Sequence, residues 1–524
     1  MVTGSSDGPL TADTPPLAAV LGLALLQGLL LYGLHQAVAQ ARWPATHAVV
    51  LFPLGLLALG LPVSLQLLSR HWRAARVWGV HAVFALVLVI IGAYLGVQGG
   101  LPPLVEPHNA TPLLGTAVPL VALGFIVLAF VRASLEAGVW RPGYPALFAA
   151  AWRTALTLAE AGLFMGLLAL LLVLWAALFQ TLQIPLFSRL FQQPLFGYPA
   201  AALAFGVAVH LVGSVERLVD VVLGQVLGLL KWLAPVAGLL VVLFTVALLP
   251  RLPGLLVSGD RALNAAWLLW LVMVTVLLIN AAYQDGRVAQ PYGRVLGSAL
   301  RALPPLLVIV SGTALYALCV RVGEHGLTVG RYWGLVTAGF ALLYAVSYSW
   351  AAVRPGPWMR GVSTANPLLA LLLAGVLLLS LTPVLSPFRW SAQSQQARVL
   401  NTTDIDPQRS AFRYLQNETG QYGRDAVQAL SAAQVQALSA PLSANATDWM
   451  AGLRVVPAGR DLPEALREVL RQAHEAADST SRLQTPLAFW LQPTESDVPV
   501  LLLLLPGGRY ARYAQREGKW ARID

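Results

Sequence analysis

The sequence predicts a polytopic α-helical membrane protein of about 11 transmembrane helices with a small C-terminal α+β extracytoplasmic domain, and three observations lead there. First, apolar stretches of about 20 residues, the length needed to cross a hydrocarbon core, fill the chain from Leu17 to Pro387. Second, 57% of the 524 residues are hydrophobic and only 11% charged, with a mean hydropathy of +0.67, which excludes a string of soluble domains. Third, the character of the chain changes after Trp390: residues 391–524 hold 14 basic and 14 acidic residues, about half the charges of the chain. A near-neutral mixture of charges is what a small folded domain presents to water.

The spans are predicted near 17–39, 47–68, 78–98, 113–131, 154–180, 199–214, 232–250, 262–282, 302–320, 334–353 and 367–387. Residues 1–16 lack the basic region of a cleaved signal peptide, so they read as a short N-terminal tail ahead of a retained first span. The segment from Glu216 to Lys231 has two readings, a surface amphipathic helix or the start of a longer tilted span. Of the 34 basic residues only Lys231 and Lys519 are lysine, and the net charge of +10 comes largely from arginines in short loops. Thirteen basic residues, among them Arg70, Arg132, Arg153, Arg217, Arg294 and Arg354, fall in one set of alternate loops. Six fall in the other: Arg42, Arg189, Arg251, Arg261, Arg321 and Arg331. The positive-inside rule makes the first set cytoplasmic, which puts the N-terminus inside and the C-terminal domain outside a bacterial cell (inner) membrane. The domain plan is therefore a cytoplasmic tail over 1–16, a helical membrane domain over 17–388 and an extracytoplasmic domain over 389–524.

Within the last domain, residues 391–440 read as mostly helical. Asp461, Leu462, Pro463 and Glu464 combine a cap, a first-turn proline and a capping acid, predicting an amphipathic helix to about Ala477. After Pro486 the pattern becomes strand-like in AFWLQ, PVLLLLLP, YARYAQ and KWARI, with a hairpin turn at Arg516-Glu517-Gly518. The run from Val500 to Leu505 is too short to span and reads as a central strand with the helix packed on the sheet.

Two stretches carry a resemblance. NAAYQDG at 280–286 with RVGEHGLTVGRYW at 321–333, and the segment 394–430 that contains Gly420-Gln421-Tyr422-Gly423-Arg424, resemble the bacterial multi-pass inner-membrane family called domain of unknown function 4153 (DUF4153). The resemblance covers residues 260 to 430, and the earlier spans by hydropathy. The family's Phe-Asp-Phe-like segment stands here as Ser410-Ala411-Phe412. It implies placement and topology, and no activity.

The candidate ligand-binding residues are Arg321, Glu324, Thr328, Arg331, Glu160 and His210. Two arginines ten residues apart across a tight turn suit a phosphate or carboxylate clamp, with Thr328 and the first amides of the next helix as further donors. The alternative is purely structural: Gly326 ends one helix, Thr328 caps the next, and Arg321 pairs with Glu324. Glu160 and His210 lie within adjacent spans, where an ionisable group is costly and faces a bundle interior or a water-filled cavity. Together they suit a proton relay; apart, each satisfies itself at the interface or on a neighbouring helix. Gly92 with Gly96, and Gly162 with Gly166, have the spacing of close helix contacts. Asp404 and Asp406 precede a proline and read as a turn or cap rather than a metal site.

No phosphate loop, HExxH or GxSxG motif is present, and the single cysteine, Cys319, excludes disulfides within the chain. No catalytic residue, metal or cofactor is expected, and no nucleic acid partner. The expected partners are membrane lipids and an envelope protein bound through residues 391–524. The reading is a non-enzymatic envelope protein. The alternatives are a transporter or channel for a lipid-like or anionic solute, with Pro62, Pro119, Pro235 and Pro304-Pro305 breaking helices, and a membrane-embedded transferase with a lipid-linked substrate.

Overall fold

A computed structural model describes residues 17–99, 111–214, 216–254, 264–286, 291–354, 359–439, 454–456, 463–464, 466–468, 487–491, 500–504, 510–516 and 519–522. The helices are α1 (Leu17–Ala39), α2 (Ala48–Leu67), α3 (Ala75–Gly99), α4 (Thr111–Ala137), α5 (Tyr144–Thr181), α6 (Leu186–Phe191), α7 (Pro194–Ser214), α8 (Glu216–Leu248) and α9 (Ala265–Tyr283). They continue with α10 (Arg294–Arg301), α11 (Leu303–His325), α12 (Val329–Val353), α13 (Val362–Ser380), α14 (Pro387–Asn401), α15 (Ile405–Glu418), α16 (Gly420–Gln428) and α17 (Ala432–Ser439). Among the described residues, eleven helices are long and apolar enough to cross a membrane, which is the build of a multi-pass membrane protein.

Residues 216–231 are the first half of α8, so the longer-span reading is the one realised. The last span ends at Ser380, seven residues earlier than expected, because Pro383 has no N–H with which to continue the ladder, and Ser386-Pro387 then starts α14. The expected proline breaks do not occur in α2, α4 and α8, which run on through Pro62, Pro119 and Pro235. Pro304 instead sits in the first turn of α11, where its missing N–H costs nothing.

The chain forms two compact units, 1–431 and 432–524. In the first, α1 lies along α7, α2 along α3, α8 along α9 and α11 along α12. Its largest core joins α8 to α12 around Val241, Val272, Leu307, Val310, Ala345 and Tyr348, all fully buried. A second core sets Ile91 and Leu95 of α3 against Leu123 of α4 and Leu377 and Leu381 at the end of α13. Between α1 and α2, Gln66 Nε2 donates to Gln27 Oε1 at 3.2 Å, a single bond between two buried amides in an apolar setting that leaves Gln66 Oε1 without a partner. The three helices after residue 386 belong to this same unit, packed on one another and on α3 and α12.

The second unit contains α17 and strands β1 (Arg454–Val456), β2 (Leu487–Leu491), β3 (Val500–Leu504), β4 (Tyr510–Arg516) and β5 (Lys519–Arg522). They form one sheet in the order β1-β2-β3-β4-β5, with β1 parallel to β2 and every other pair antiparallel. Strand β3 pairs on both sides, Leu502 opposing Phe489 on β2 and Arg512 on β4. Most of the helix expected over 462–477 and the turn at Glu517-Gly518 lie outside the described residues; Glu464 and residues 466–468 are helical, with Leu466 fully buried.

Candidate functional site

The turn between α11 and α12 is built by its own sequence. Gly326 ends α11 with φ +72°, a conformation that side chains with a Cβ rarely adopt, and an added Cβ would lie 2.7 Å from Gln395 Nε2. Thr328 caps α12 by accepting the Arg331 N–H at 3.3 Å. Arg331 Nη1 then donates back to the carbonyls of His325 (3.2 Å) and Gly326 (2.7 Å), closing the orphan end of α11.

Helices α14 and α15 take up what remains of this backbone. Gln395 Nε2 donates to the carbonyls of His325 (3.2 Å) and Leu327 (2.9 Å), and the Leu327 N–H donates to Ser394 Oγ at 2.8 Å. The Val329 N–H donates to the Tyr414 hydroxyl at 2.7 Å, and burial pushes that hydroxyl above its ordinary pKa. Leu327, Val329 and Arg331 amides, the donors a clamp would borrow from the helix start, are thus engaged by the protein itself.

Two further arginines flank this turn, Arg321 and Arg398. Arg321 stands one turn before His325 on α11, and Arg398 stands three and four residues after Gln395 and Ser394, on the face of α14 that meets the turn. All three arginines are half-buried. Arg398 was not among the predicted residues; its helical spacing from Gln395 is the only trace it leaves in the sequence. Glu324, by contrast, is exposed, with its carboxylate 3.6 Å from His325 Nδ1.

The Gly-Gln-Tyr-Gly-Arg stretch docks α16 onto the end of α3. Gly420 has φ +59° and an added Cβ there would come 2.6 Å from the Gln98 carbonyl. Arg424 Nη2 donates to that carbonyl at 3.4 Å while Gln421 Oε1 holds the guanidinium at 2.9 and 3.1 Å, and the Tyr422 and Tyr94 hydroxyls lie 3.4 Å apart. The other stretch, Asn280 to Gly286, does comparable work elsewhere in the unit. Tyr144 of α5 donates to Asn280 Oδ1 (3.0 Å), Asn366 of α13 donates to both Tyr144 (3.1 Å) and Asn280 (3.0 Å), and fully buried Tyr348 of α12 donates to Asn366 (2.9 Å). Tyr283 packs its ring 5.9 Å from that of Tyr144. Four helices are joined by one satisfied polar network, which the sequence reading missed because its members are up to 222 residues apart.

No hydrogen bond or ion pair joins Glu160 to His210. Ala161 packs against Ala208 and Val209, so the two helices meet beside them, yet among the described residues neither side chain has a hydrogen-bond or ion partner. A third group of charges ties α4, α5 and α8: Arg132 donates to Glu136 (2.8 Å) and Thr154 (3.3 Å), and Arg153 holds Asp220 through Nε and Nη2 (3.0 and 3.2 Å). Next to it, burial pulls both Arg70 and His71 below their ordinary pKa, and the Arg132 charge acts in the same direction. Asp404 occupies the cap position of α15 without a side-chain bond, and Asp406 lies in its first turn. Among the described residues no three His, Cys, Asp or Glu side chains are grouped to hold a metal ion. Compared with known proteins, the chain matches no family model, no curated protein and no solved structure.

Proposed function

We propose that this chain is a non-enzymatic envelope protein of a bacterial inner membrane, related to the DUF4153 family, whose C-terminal α+β domain binds a partner or envelope component. The observation that carries the reading is the division after Ser431. Before it, helices α14 to α16 are hydrogen-bonded to the α11–α12 turn and to α3, so they act as part of the anchor; after it comes a separate compact unit with its own five-stranded sheet. The binding role assigned from the sequence to residues 391–524 therefore narrows to 432–524. Strands β1 and β5 terminate the sheet order, and the backbone of a terminal strand is where a partner's strand adds. The charge asymmetry of the loops supports a cytoplasmic N-terminus and an extracytoplasmic C-terminal unit.

The test is in-cell cross-linking of the full-length protein and of a truncation ending at Ser431, each purified in its native lipids. The expected result is an envelope protein cross-linked within 432–524 and absent from the truncation, while the truncation still inserts. A partner retained in full by the truncation would remove the C-terminal unit from the binding role.

A further inference from the structure

We propose that a small cavity between α2, α3 and α4 binds the hydroxyl group of a membrane-dissolved alcohol, which donates a hydrogen bond to His81 Nε2. Two polar side chains stand in the cavity wall, His81 of α3 and Ser64 of α2, and both have already committed a proton elsewhere. His81 Nδ1 lies 2.7 Å from the Val77 carbonyl oxygen. A carbonyl can only accept, so the proton sits on Nδ1, and in a neutral imidazole that leaves Nε2 with a lone pair and nothing to donate. Ser64 Oγ donates to the Leu61 carbonyl at 3.0 Å, so its oxygen too has only lone pairs to offer. An occupant must therefore bring the hydrogen, which selects an alcohol or phenol over an ether, a ketone or an anion.

His81 is 5% exposed, and among the described residues no hydrogen bond reaches its Nε2. Leu68, Val80, Phe84, Leu128 and Val131 form most of the remaining wall. A buried acceptor without a donor is a standing cost that an incoming hydroxyl removes. Water suits the place poorly, because a buried water makes about three hydrogen bonds and this wall is otherwise carbon. The enclosed space is about 30 Å³ and reaches about 290 Å³ with its mouth included, so it takes the hydroxyl end of a molecule whose remainder lies outside. Val127, on the same wall, is 37% exposed and well inside the span Thr116–Ala137. At that depth the mouth opens to hydrocarbon, the solvent that carries a long-chain alcohol. The cavity belongs to the first unit and is independent of what the C-terminal unit binds.

The test uses full-length protein in phosphatidylcholine nanodiscs, with a diazirine-bearing long-chain alcohol as the photoactivatable probe. Labelled peptides are mapped by mass spectrometry. Hexadecanol and its methyl ether, which has the same chain and no hydroxyl hydrogen, are compared as competitors. The label is expected on α3 and α4 near Val127, with hexadecanol competing about tenfold better than the ether, the effect of one hydrogen bond in a dry site. His81→Leu, similar in volume and without ring nitrogens, should bring the two competitors to equality. Gly124 of α4 also lines the cavity, and an added Cβ there would meet nothing within 4 Å. Gly124→Leu therefore grows into the open space and should abolish competable labelling. Equal competition by hexadecanol and the ether in wild type overturns the proposal, as does a preference that persists in His81→Leu or competable labelling that survives Gly124→Leu. Absence of competable labelling in wild type overturns it as well and leaves the cavity to water.

Discussion

The glycine pairs of α3 and α5 have the same four-residue spacing and opposite surroundings. An added Cβ at Gly92 would lie 2.6 Å from Cα and N of Pro53, and one at Gly96 would lie 2.5 Å from the Ala48 carbonyl oxygen, so α2 and α3 touch backbone to backbone. At Gly162 and Gly166 an added Cβ would meet nothing within 4 Å. Among the described residues the close contact expected at the second pair is therefore absent. The physical reason lies in α5 itself: its buried face, Ala150, Thr154, Thr157 and Ala161, ends one residue before Gly162, and no residue from there to Thr181 is buried. A helix of 38 residues is about 57 Å long, nearly twice a hydrocarbon core; its buried residues lie in the first half, while the far end meets the rings of α6, with Trp175 and Phe179 against Phe187. The α1–α7 contact teaches the converse. A Cβ on Gly28 would collide with the backbone of Pro199, a close approach that no glycine pair advertises. Glycine spacing permits approach; the shape of the partner decides whether it happens.

The difference can be tested from its strong end. Gly96→Leu should be the most damaging change, because the obstacle is the α2 backbone rather than a flexible side chain; we expect about 3 kcal/mol or loss of folded protein, measured by thermal unfolding in detergent. Asn366→Ala removes the hub of the Tyr144–Asn280–Tyr348 network and leaves buried partners unsatisfied, for an expected loss of about 2 kcal/mol in the same assay. Ala161→Leu, at a fully buried position against Ala208 and Val209, should cost about 1–2 kcal/mol. One residue further on, Gly162→Leu should change stability by no more than about 0.5 kcal/mol. If Gly162→Leu instead matched Gly96→Leu, α5 would have to pack against a helix outside this chain, and cross-linking at Leu163 would then identify it.

How far the sequence could be read follows the range of the forces involved. The eleven spans were legible because lipid demands a run of apolar residues of fixed minimum length, a local property of the chain. The turn at Gly326 and Thr328 was legible for the same reason, since a positive φ and a helix cap are decided within a few residues. The fate of Glu216 to Lys231 was not, because charge on one face suits both a surface helix and the start of a long span, and its connection to α5 through Asp220 and Arg153 joins residues 67 apart. Arg398 escaped notice because what aims it is a pair of hydrogen bonds to a turn about seventy residues earlier.

The resemblance motifs divide along the same line. Asn280 and Tyr283, or Gly420, Tyr422 and Arg424, are recognisable as patterns, but nothing in a pattern says that one set joins four helices and the other seats α16 on Gln98. Hydropathy alone was enough for the number and approximate position of the spans, but not for every end: α5 and α8 start well before the apolar runs that announced them, and the last span stops at Ser380. Which helices touch and which glycines are contact points depended on packing, because close approach is a property of two surfaces, and a sequence describes only one at a time.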